Sequence, residues 1–277
     1  MSYTMGWFST GRDEAARELL QQVHENISNG LIRGRIGYLF CNRRPGEVLE
    51  SDKFIELAKT LDMKVSFISS SEFEPRLRLA STEIWRAKYH VEVMNRVVKY
   101  GADVIVLAGY MLIVSPEMCK RHTIVNLHPA KPGGPKGTWQ EVIWQLIQNR
   151  AGETGVMMHL VTDNLDEGPP ITYCTFPIRG GAFDPLWHDL EEQLKDKRLA
   201  DLMMEEGEAN PLFREIRKQG VRREVPLLVY TLKNLAEGRM RVVEGKIVND
   251  AGEDVGPVLL NDEIEAYSRE GNRNDKT

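Results

Sequence analysis

Two polar side chains two residues apart, Asn126 and His128, have the types and spacing that acyl-transfer chemistry needs. They lie at the end of a short apolar run, residues 123–127, which the pattern predicts as a β-strand. Alternate residues of a strand project to one face, so both side chains are expected on the same side of a sheet. An amide N–H can stabilise an oxyanion, and an imidazole exchanges a proton near neutral pH. The spacing is equally typical of a strand end with a turn-forming Asn and a solvated His.

A third candidate, Asp166, lies in a turn rich in Gly and Pro that follows a second predicted strand, residues 155–162. A carboxylate held rigidly against an imidazole raises the pKa of that ring and orients it. Asp and Gly also favour turns for conformational reasons alone, so the turn by itself leaves both interpretations open. His159 precedes this turn on the same strand, where it either lines a site or packs as an ordinary strand histidine.

Two further segments follow predicted strands and could bind ligands. Residues 111–114 are apolar and follow a Gly-Tyr pair, so they either line a slot for a flat heterocycle or belong to the core. Residues 10–13 lie between the first strand and the first helix, where backbone N–H groups can bind phosphate. This second loop has one glycine, and Asp13 and Glu14 in the first turn of the helix already complement the helix dipole.

These candidates all depend on a parallel sheet that brings strand ends together. Short β-branched runs alternate with helical patterns over the first 160 residues, and such alternation is typical of βαβ units. The sequence therefore predicts an α/β fold with a doubly wound, mostly parallel sheet, followed by a C-terminal strand pair and helices. Strands are predicted at residues 3–9, 35–41, 64–68, 103–107 and 123–127, and helices at 13–26, 51–61, 82–100 and, from a Thr138–Glu141 capping box, to about 149.

The sequence of the second half of the chain indicates an insertion and a C-terminal extension of a single domain. Residues 184–210 have the pattern of a charged helix with little apolar face, and residues 212–235 that of a helix interrupted by Gly220 and Pro226. A hairpin is predicted from residues 239–243 and 246–248, and the last ~12 residues are expected to be loose. We predict a single domain over residues 1–250, with a charged helical insertion at about 184–210 and a partly loose extension over 251–277.

Composition and charge narrow the class of protein. The chain has 277 residues, is 42% hydrophobic and 28% charged, and carries a net charge of −5, which excludes a disordered, collagen-like or disulfide-scaffold protein. Its longest apolar stretch, residues 104–114, is short of the ~20 residues that a membrane helix needs. No secretory signal is visible and the three cysteines are dispersed, so we expect a cytoplasmic protein that does not bind a membrane.

The acidity is concentrated in one segment. Nine acidic and three basic residues fall within residues 184–210, so the rest of the chain is close to neutral. A near-neutral domain is compatible with anionic small-molecule substrates. Without a basic patch, no nucleic-acid partner is expected.

Taken together, three segments resemble the folate-dependent formyltransferases, and most of all their phosphoribosylglycinamide (GAR) branch. They are Gly109-Tyr110-Met111, Asn126-Leu127-His128-Pro129, and the run from Gly155 to Pro169 that contains Thr162-Asp163-Asn164-Leu165-Asp166-Glu167-Gly168. The resemblance implies the formyltransferase-type, Rossmann-like fold. It also implies transfer of a formyl group from the co-substrate 10-formyltetrahydrofolate to a primary amine in purine biosynthesis and one-carbon metabolism, with no bound cofactor and no metal.

The resemblance also implies residue roles. Asn126 would stabilise the oxyanion, His128 would be the general acid, and Asp166 would raise the pKa of His128 and help to move a proton through a water. The implied folate-binding residues are Arg86, Met111, Leu112, Ile113, Val114, Asp163 and Glu167, and those for the phosphate of the acceptor are Thr10, Gly11, Arg12 and Asp13.

Several positions depart from the family pattern around the acceptor. The loop after Ser9 is poorer in Gly, Ser and Asn, and residues 130–136 replace a Ser-Leu-Leu-Pro-like segment. Leu112 stands where an Arg is common, and no Glu occurs near Gly220 to contact a ribose. The donor is therefore the firmer prediction, and the acceptor could be another amine such as an amino sugar.

A non-catalytic folate- or nucleotide-binding α/β module is the alternative from another class, and a homodimer is left open. A metalloenzyme is disfavoured, because the six histidines show no metal-ligand spacing.

Overall fold

A computed structural model describes residues 2–164 and 166–274 of the chain. Strands and helices alternate along most of this length, as the sequence predicts. In chain order they are β1 (Tyr3–Ser9), α1 (Glu14–Ser28), β2 (Gly34–Cys41), α2 (Leu49–Thr60), β3 (Val65–Phe67), α3 (Pro75–Ala80), α4 (Thr82–Val97), β4 (Val104–Leu107), α5 (Pro116–Arg121), β5 (Ile124–His128), α6 (Trp139–Gln148), β6 (Glu153–Leu160), β7 (Pro170–Pro177), α7 (Phe183–Gln193), α8 (Leu199–Glu205), α9 (Pro211–Ala236), β8 (Arg241–Val243), β9 (Lys246–Val248), β10 (Val258–Leu259) and α10 (Asn261–Asn274).

Eight strands form one sheet in the order β10-β7-β6-β5-β4-β1-β2-β3. Strand β1 is parallel to β2 and β4, β2 to β3, β4 to β5, and β7 to β10. The chain leaves β1 toward β2 and β3 and then returns to the other side of β1 with β4 and β5, which is the doubly wound order. Strands β8 and β9 form a separate antiparallel pair. The predicted fold class is therefore confirmed.

Side-chain caps fix where two of the predicted helices begin. The Asp13 carboxylate accepts a hydrogen bond from the Ala16 N–H and so caps α1. At α6, the Thr138 hydroxyl accepts from the Glu141 N–H while the Glu141 carboxylate accepts from the Thr138 N–H. The capping box predicted from the sequence is thus present.

Helix α9 is continuous where the sequence predicts interruptions. Its 26 residues pass through both Gly220 and Pro226. A proline inside a helix costs roughly 3 kcal/mol, and α9 offsets this cost by burying apolar residues such as Ile216, Leu228 and Leu232. None of the helices within residues 2–164 and 166–274 has the length and hydropathy of a membrane span.

The charged segment at residues 184–210 has an apolar face that its sequence pattern does not reveal. Trp187, Leu190 and Leu202 are buried, so the expectation of little apolar face is wrong. The three cations of the segment pair with acidic residues of the same segment, in Lys195–Glu192, Lys197–Glu205 and Arg198–Asp201. That the segment is an insertion stays a prediction.

The C-terminal segment contains one strand and one helix. Strand β10 extends the sheet beside β7, and α10 runs to Asn274. That the last ~12 residues are loose stays a prediction, and residues 275–277 lie outside the described residues. The predicted domain boundary near residue 250 stays a prediction.

The chain divides into two compact units, each with its own aromatic-rich core. Unit 1 comprises Met1–Leu127, His159–Ile171 and Leu228–Gly256, and unit 2 comprises the remaining segments His128–Met158, Thr172–Leu227 and Pro257–Thr277. The core of unit 1 includes Phe8, Tyr38, Phe40, Trp85 and Tyr89, and that of unit 2 includes Trp144, Phe176, Trp187, Leu212 and Phe213.

A fully buried histidine, His90, joins α4 to the segment that precedes α5. Its Nδ1 lies 3.2 Å from the Ser115 N–H nitrogen and 3.1 Å from the Arg86 carbonyl oxygen, and its Nε2 lies 3.3 Å from the Tyr110 hydroxyl. In the tautomer that carries its hydrogen on Nε2, Nδ1 accepts from Ser115. Burial, and then the Arg86 charge, lower the pKa of His90 to about 4 despite the favourable Arg86 carbonyl.

This buried ring predicts that the protein loses stability as the pH falls. The pKa of His90 is about 6.5 in the unfolded chain and about 4 in the folded one, so its contribution is complete above pH ~6.5 and is lost progressively toward pH 4. We expect about 2 kcal/mol of this loss between pH 7 and pH 5. Urea unfolding of the wild type and of His90→Gln at both pH values measures it. The variant should show a smaller decrease, and an equal decrease in the two proteins would contradict the assignment.

Candidate active site

The loops after β1 and β4 meet where the strand order reverses, the usual ligand position in an open parallel sheet. The Thr10 N–H donates to the Gly109 carbonyl at 3.0 Å, and the Thr10 hydroxyl accepts from the Met111 N–H at 2.9 Å. Residues 10–13, predicted to bind phosphate, therefore hold the backbone at the start of residues 111–114, predicted to bind folate. Thr10 is 2% exposed, so its hydroxyl serves this structural contact.

The four apolar residues predicted to bind folate differ in exposure. Met111 is 51% and Ile113 40% exposed, so their side chains are available to a ligand. Leu112 is half-buried and packs against the core, and Val114 is 3% exposed within it. The apolar face that the loop offers therefore consists of Met111 and Ile113, while Val114 anchors the loop.

At the ends of β5 and β6, Asn126 and His159 form a hydrogen bond. The His159 Nδ1 lies 2.8 Å from the Leu160 carbonyl oxygen, which can only accept, so Nδ1 carries the hydrogen. In the neutral ring Nε2 is then an acceptor, and the Asn126 amide nitrogen donates to it at 3.1 Å. This contact sets the orientation of the Asn126 amide and leaves its second N–H without a protein acceptor among the described residues. His159 therefore contacts and orients the amide that is predicted to stabilise the oxyanion.

Asp166 lies beside the same histidine. Its carboxylate is 3.7 Å from the His159 Nε2, and its side chain is 10% exposed. Asp166 has a φ of +53°, a left-handed conformation that Asp and Asn tolerate better than most residues. The turn also requires Gly168, because a Cβ at that position would lie 1.7 Å from the Leu160 carbonyl oxygen.

His128, the last residue of β5, is 2% exposed. Its Nε2 lies 3.0 Å from the Pro135 carbonyl oxygen, so this nitrogen carries a hydrogen and donates it. Pro135 lies in residues 130–136, the loop between β5 and α6. A cavity of about 440 Å³ lies beside that loop, lined by Lys131, Gly134 and Pro135 among others. Whether Asp166 raises the pKa of His128 stays a prediction.

The predicted phosphate loop is engaged in contacts within the protein. The Gly11 N–H donates to the Ser9 hydroxyl at 3.1 Å. Arg12 pairs with the neighbouring Asp13, Nε to carboxylate oxygen, at 3.2 Å, and one of its terminal nitrogens lies 3.6 Å from the Met111 sulfur. Asp13 already occupies the N-cap of α1. Two of the four backbone N–H groups of residues 10–13, those of Thr10 and Gly11, are thus already used within the protein.

The remaining predicted folate residues lie on unit 1 as well. Arg86 is half-buried on α4, and Asp163 and Glu167 are exposed in the turn that carries Asp166. No group of His, Cys, Asp or Glu side chains able to hold a metal occurs in the described part of the chain.

A comparison with protein families identifies the class. Residues 56–196, half of the chain, match the family described as formyl transferase, and the chain belongs to that family. The predicted class of enzyme, a folate-dependent formyltransferase, is confirmed.

Curated relatives of the chain share one enzyme name within the formyl transferase family. The chain is 29% identical over 168 residues to the phosphoribosylglycinamide formyltransferase of Schizosaccharomyces pombe, covering 57% of this chain and 77% of the relative. It is 28% identical over 165 residues to the Escherichia coli enzyme of the same name, covering 58% and 69%.

Two solved structures have the same fold. The phosphoribosylglycinamide formyltransferase of Coxiella burnetii aligns with a TM-score of 0.67 at 18% identity, covering 94% of this chain and 99% of that one. A formyltetrahydrofolate deformylase from Pseudomonas syringae aligns with a TM-score of 0.61 at 18% identity, covering 90% and 66%.

The contact between Asn126 and His159 predicts a positioning role for the histidine. His159→Leu removes the acceptor that orients the amide, and we expect kcat for formyl transfer to fall at least tenfold with little change in KM, since an oxyanion donor is worth about 10²–10³ in rate. His159→Gln offers a carbonyl oxygen as acceptor and should recover part of the loss. If Leu and Gln lower kcat equally while both proteins stay folded, His159 does not act through the Asn126 amide.

Proposed function

We propose that the chain transfers the formyl group of 10-formyltetrahydrofolate to the primary amine of phosphoribosylglycinamide. The observation that carries this proposal is the Asn126 amide. Its nitrogen donates one hydrogen to His159 and has a second N–H for an oxyanion, and the chain belongs to the formyl transferase family. The names of the relatives from two organisms support the acceptor. The protein works in purine biosynthesis, in the cytoplasm, and needs no metal or resident cofactor.

The amine nitrogen attacks the formyl carbon and forms a tetrahedral intermediate whose oxygen is negatively charged. The free N–H of Asn126 donates to that oxygen. His128 lies two residues after Asn126 on the same strand. Because its Nε2 hydrogen is donated to the Pro135 carbonyl, His128 delivers a proton from Nδ1 to N10 of the folate. The bond from N10 to the formyl carbon then breaks, which leaves the formamide and tetrahydrofolate.

The amine must lose one proton as the folate nitrogen gains one. We assign to the Asp166 carboxylate the transfer of this proton through a water molecule. Met111 and Ile113 contact the pterin, and Arg86, Asp163 and Glu167 bind other parts of the folate, with the Leu112 and Val114 backbone supporting the loop.

The proposed reaction is tested with the purified full chain, 10-formyltetrahydrofolate and phosphoribosylglycinamide. Mass spectrometry should detect the formylated amine and tetrahydrofolate in equal amounts, and neither when the amine is omitted. Tetrahydrofolate release without the amine would indicate hydrolysis instead. Formylation of an amino sugar but not of phosphoribosylglycinamide would overturn the acceptor, and folate binding without turnover would indicate a non-catalytic module.

Three substitutions test the assigned roles in the same assay. Asn126→Ala should lower kcat by about 10²–10³, the usual value of one oxyanion donor. His128→Asn should lower kcat by about 10²–10⁴, the usual value of a positioned acid. Asp166→Asn keeps a residue that tolerates the left-handed backbone and removes only the charge, so a loss of at least tenfold is expected without unfolding. Circular dichroism and thermal melting check the fold, and wild-type rates in any variant would remove that residue from the mechanism.

A further inference from the structure

A basic residue that the sequence analysis did not single out, Arg43, lies directly beyond strand β2. Strands β1 and β2 are parallel neighbours, and Ser9 is paired with Cys41 at their carboxyl ends. Gly11 and Arg43 each lie two residues beyond this pair. The loop that was predicted to bind phosphate therefore leaves the sheet beside Arg43.

A buried hydroxyl joins Arg43 to that loop. Ser51, at the start of α2, is fully buried, and its hydroxyl donates to the Thr10 carbonyl oxygen at 3.1 Å. Since the hydrogen of Ser51 is used there, its oxygen accepts from the Arg43 guanidinium, whose terminal nitrogen lies 3.1 Å away. These two hydrogen bonds, from Arg43 to Ser51 and from Ser51 to Thr10, fix the guanidinium relative to the backbone of the loop.

The charge of Arg43 is uncompensated, unlike that of the arginines around it. Arg12 pairs with Asp13, Arg17 with Glu50, and Arg44 with Glu72. Arg43 forms no ion pair with any carboxylate of the described residues, and it is half-buried.

The loop itself has limited capacity for an anion. The Thr10 and Gly11 N–H groups donate to protein oxygens, and the Asp13 carboxylate caps α1. Gly11 has a φ of +59°, and a Cβ there would lie 2.8 Å from the Phe54 Cβ, so the loop is also held in one shape. An anion at this edge of the sheet would therefore need donors other than the Thr10 and Gly11 N–H groups, and a side-chain cation can supply them.

We propose that Arg43, held by Ser51, binds the phosphate group of the amine acceptor. A guanidinium offers paired N–H donors that match two phosphate oxygens, and it stays charged at every physiological pH. This assignment rests on the proposed function, because it places a phosphorylated acceptor at the carboxyl edge of β1 and β2. In this assignment, Arg43 supplies a positive charge that the backbone N–H groups of residues 10–13 do not carry.

Steady-state kinetics of Arg43→Gln test the assignment. The KM for phosphoribosylglycinamide should rise about 10- to 100-fold, the usual cost of a charge-assisted hydrogen-bonded pair, with kcat within about twofold. The KM for 10-formyltetrahydrofolate should not change. Arg43→Lys keeps the charge without the paired donors and should give an intermediate KM, and Ser51→Ala should raise the KM in the same direction.

Arg44→Gln is the matched control, because it removes the neighbouring arginine, which pairs with Glu72 on the surface. Its KM values should stay within about twofold of the wild type. The proposal is overturned if Arg43→Gln leaves the KM for the acceptor unchanged, or if it raises the KM for the folate instead. Thermal melting confirms that the variants are folded.

Titration with inorganic phosphate separates this proposal from the proposed function. Calorimetry should detect phosphate binding to the wild type, weaker binding to Arg43→Gln, and unchanged binding to Arg44→Gln. If the wild type fails to formylate phosphoribosylglycinamide, the proposed function falls and this titration alone decides the role of Arg43. Equal phosphate binding by the wild type and Arg43→Gln, or none by either, would remove the phosphate site.

Discussion

The hydrogen bond between Asn126 and His159 decides which atoms the site presents to a reacting carbonyl. An asparagine amide has two ends of nearly equal size, and only its nitrogen end can stabilise an oxyanion. The Leu160 carbonyl keeps the hydrogen of His159 on Nδ1, so the neutral ring can only accept at Nε2. A second hydrogen, on Nε2, would make that nitrogen a donor toward Asp166 and would leave Asn126 without its acceptor. The neutral ring is therefore the state that fits the proposed reaction.

The same edge of the sheet imposes a second constraint, on the loops after β1, β2 and β4. Thr10 contributes its N–H, its hydroxyl and its carbonyl to the protein, and each group ties the loop to a different segment. A loop held in this way fixes the Met111 backbone, and its Thr10 and Gly11 N–H groups are no longer available to a ligand. In the proposed phosphate site, Arg43 supplies the charge at this edge.

Much of this arrangement could be predicted from the sequence. Alternating strand and helix patterns predict the parallel sheet, the strand end that carries Asn126 and the turn that carries Asp166. The contact between His159 and Asn126 could not be predicted, because a polar residue on a buried strand gives the same pattern whether it packs or functions. Arg43 was missed for a related reason: an arginine after a strand is common, and only the contact with Ser51 distinguishes it.

Predictions from local sequence patterns fail where packing against distant residues determines the secondary structure. Pro226 and Gly220 predict breaks in α9, yet the helix continues because its buried residues gain more than the interruptions cost. Charged residues dominate the composition of residues 184–210, and this pattern predicts little apolar face. Their few large apolar residues, such as Trp187 and Leu202, nevertheless lie in the core of unit 2.

Backbone carbonyls set the hydrogen positions on both histidines with a proposed role. The Leu160 carbonyl places the hydrogen of His159 on Nδ1, and the Pro135 carbonyl places one on Nε2 of His128. The path of the backbone therefore contributes to both tautomers. A loop can then change most of its residues and still keep His128 in the same tautomer, provided that one carbonyl stays in place. This is compatible with a changed sequence at residues 130–136 beside the proposed acid, His128.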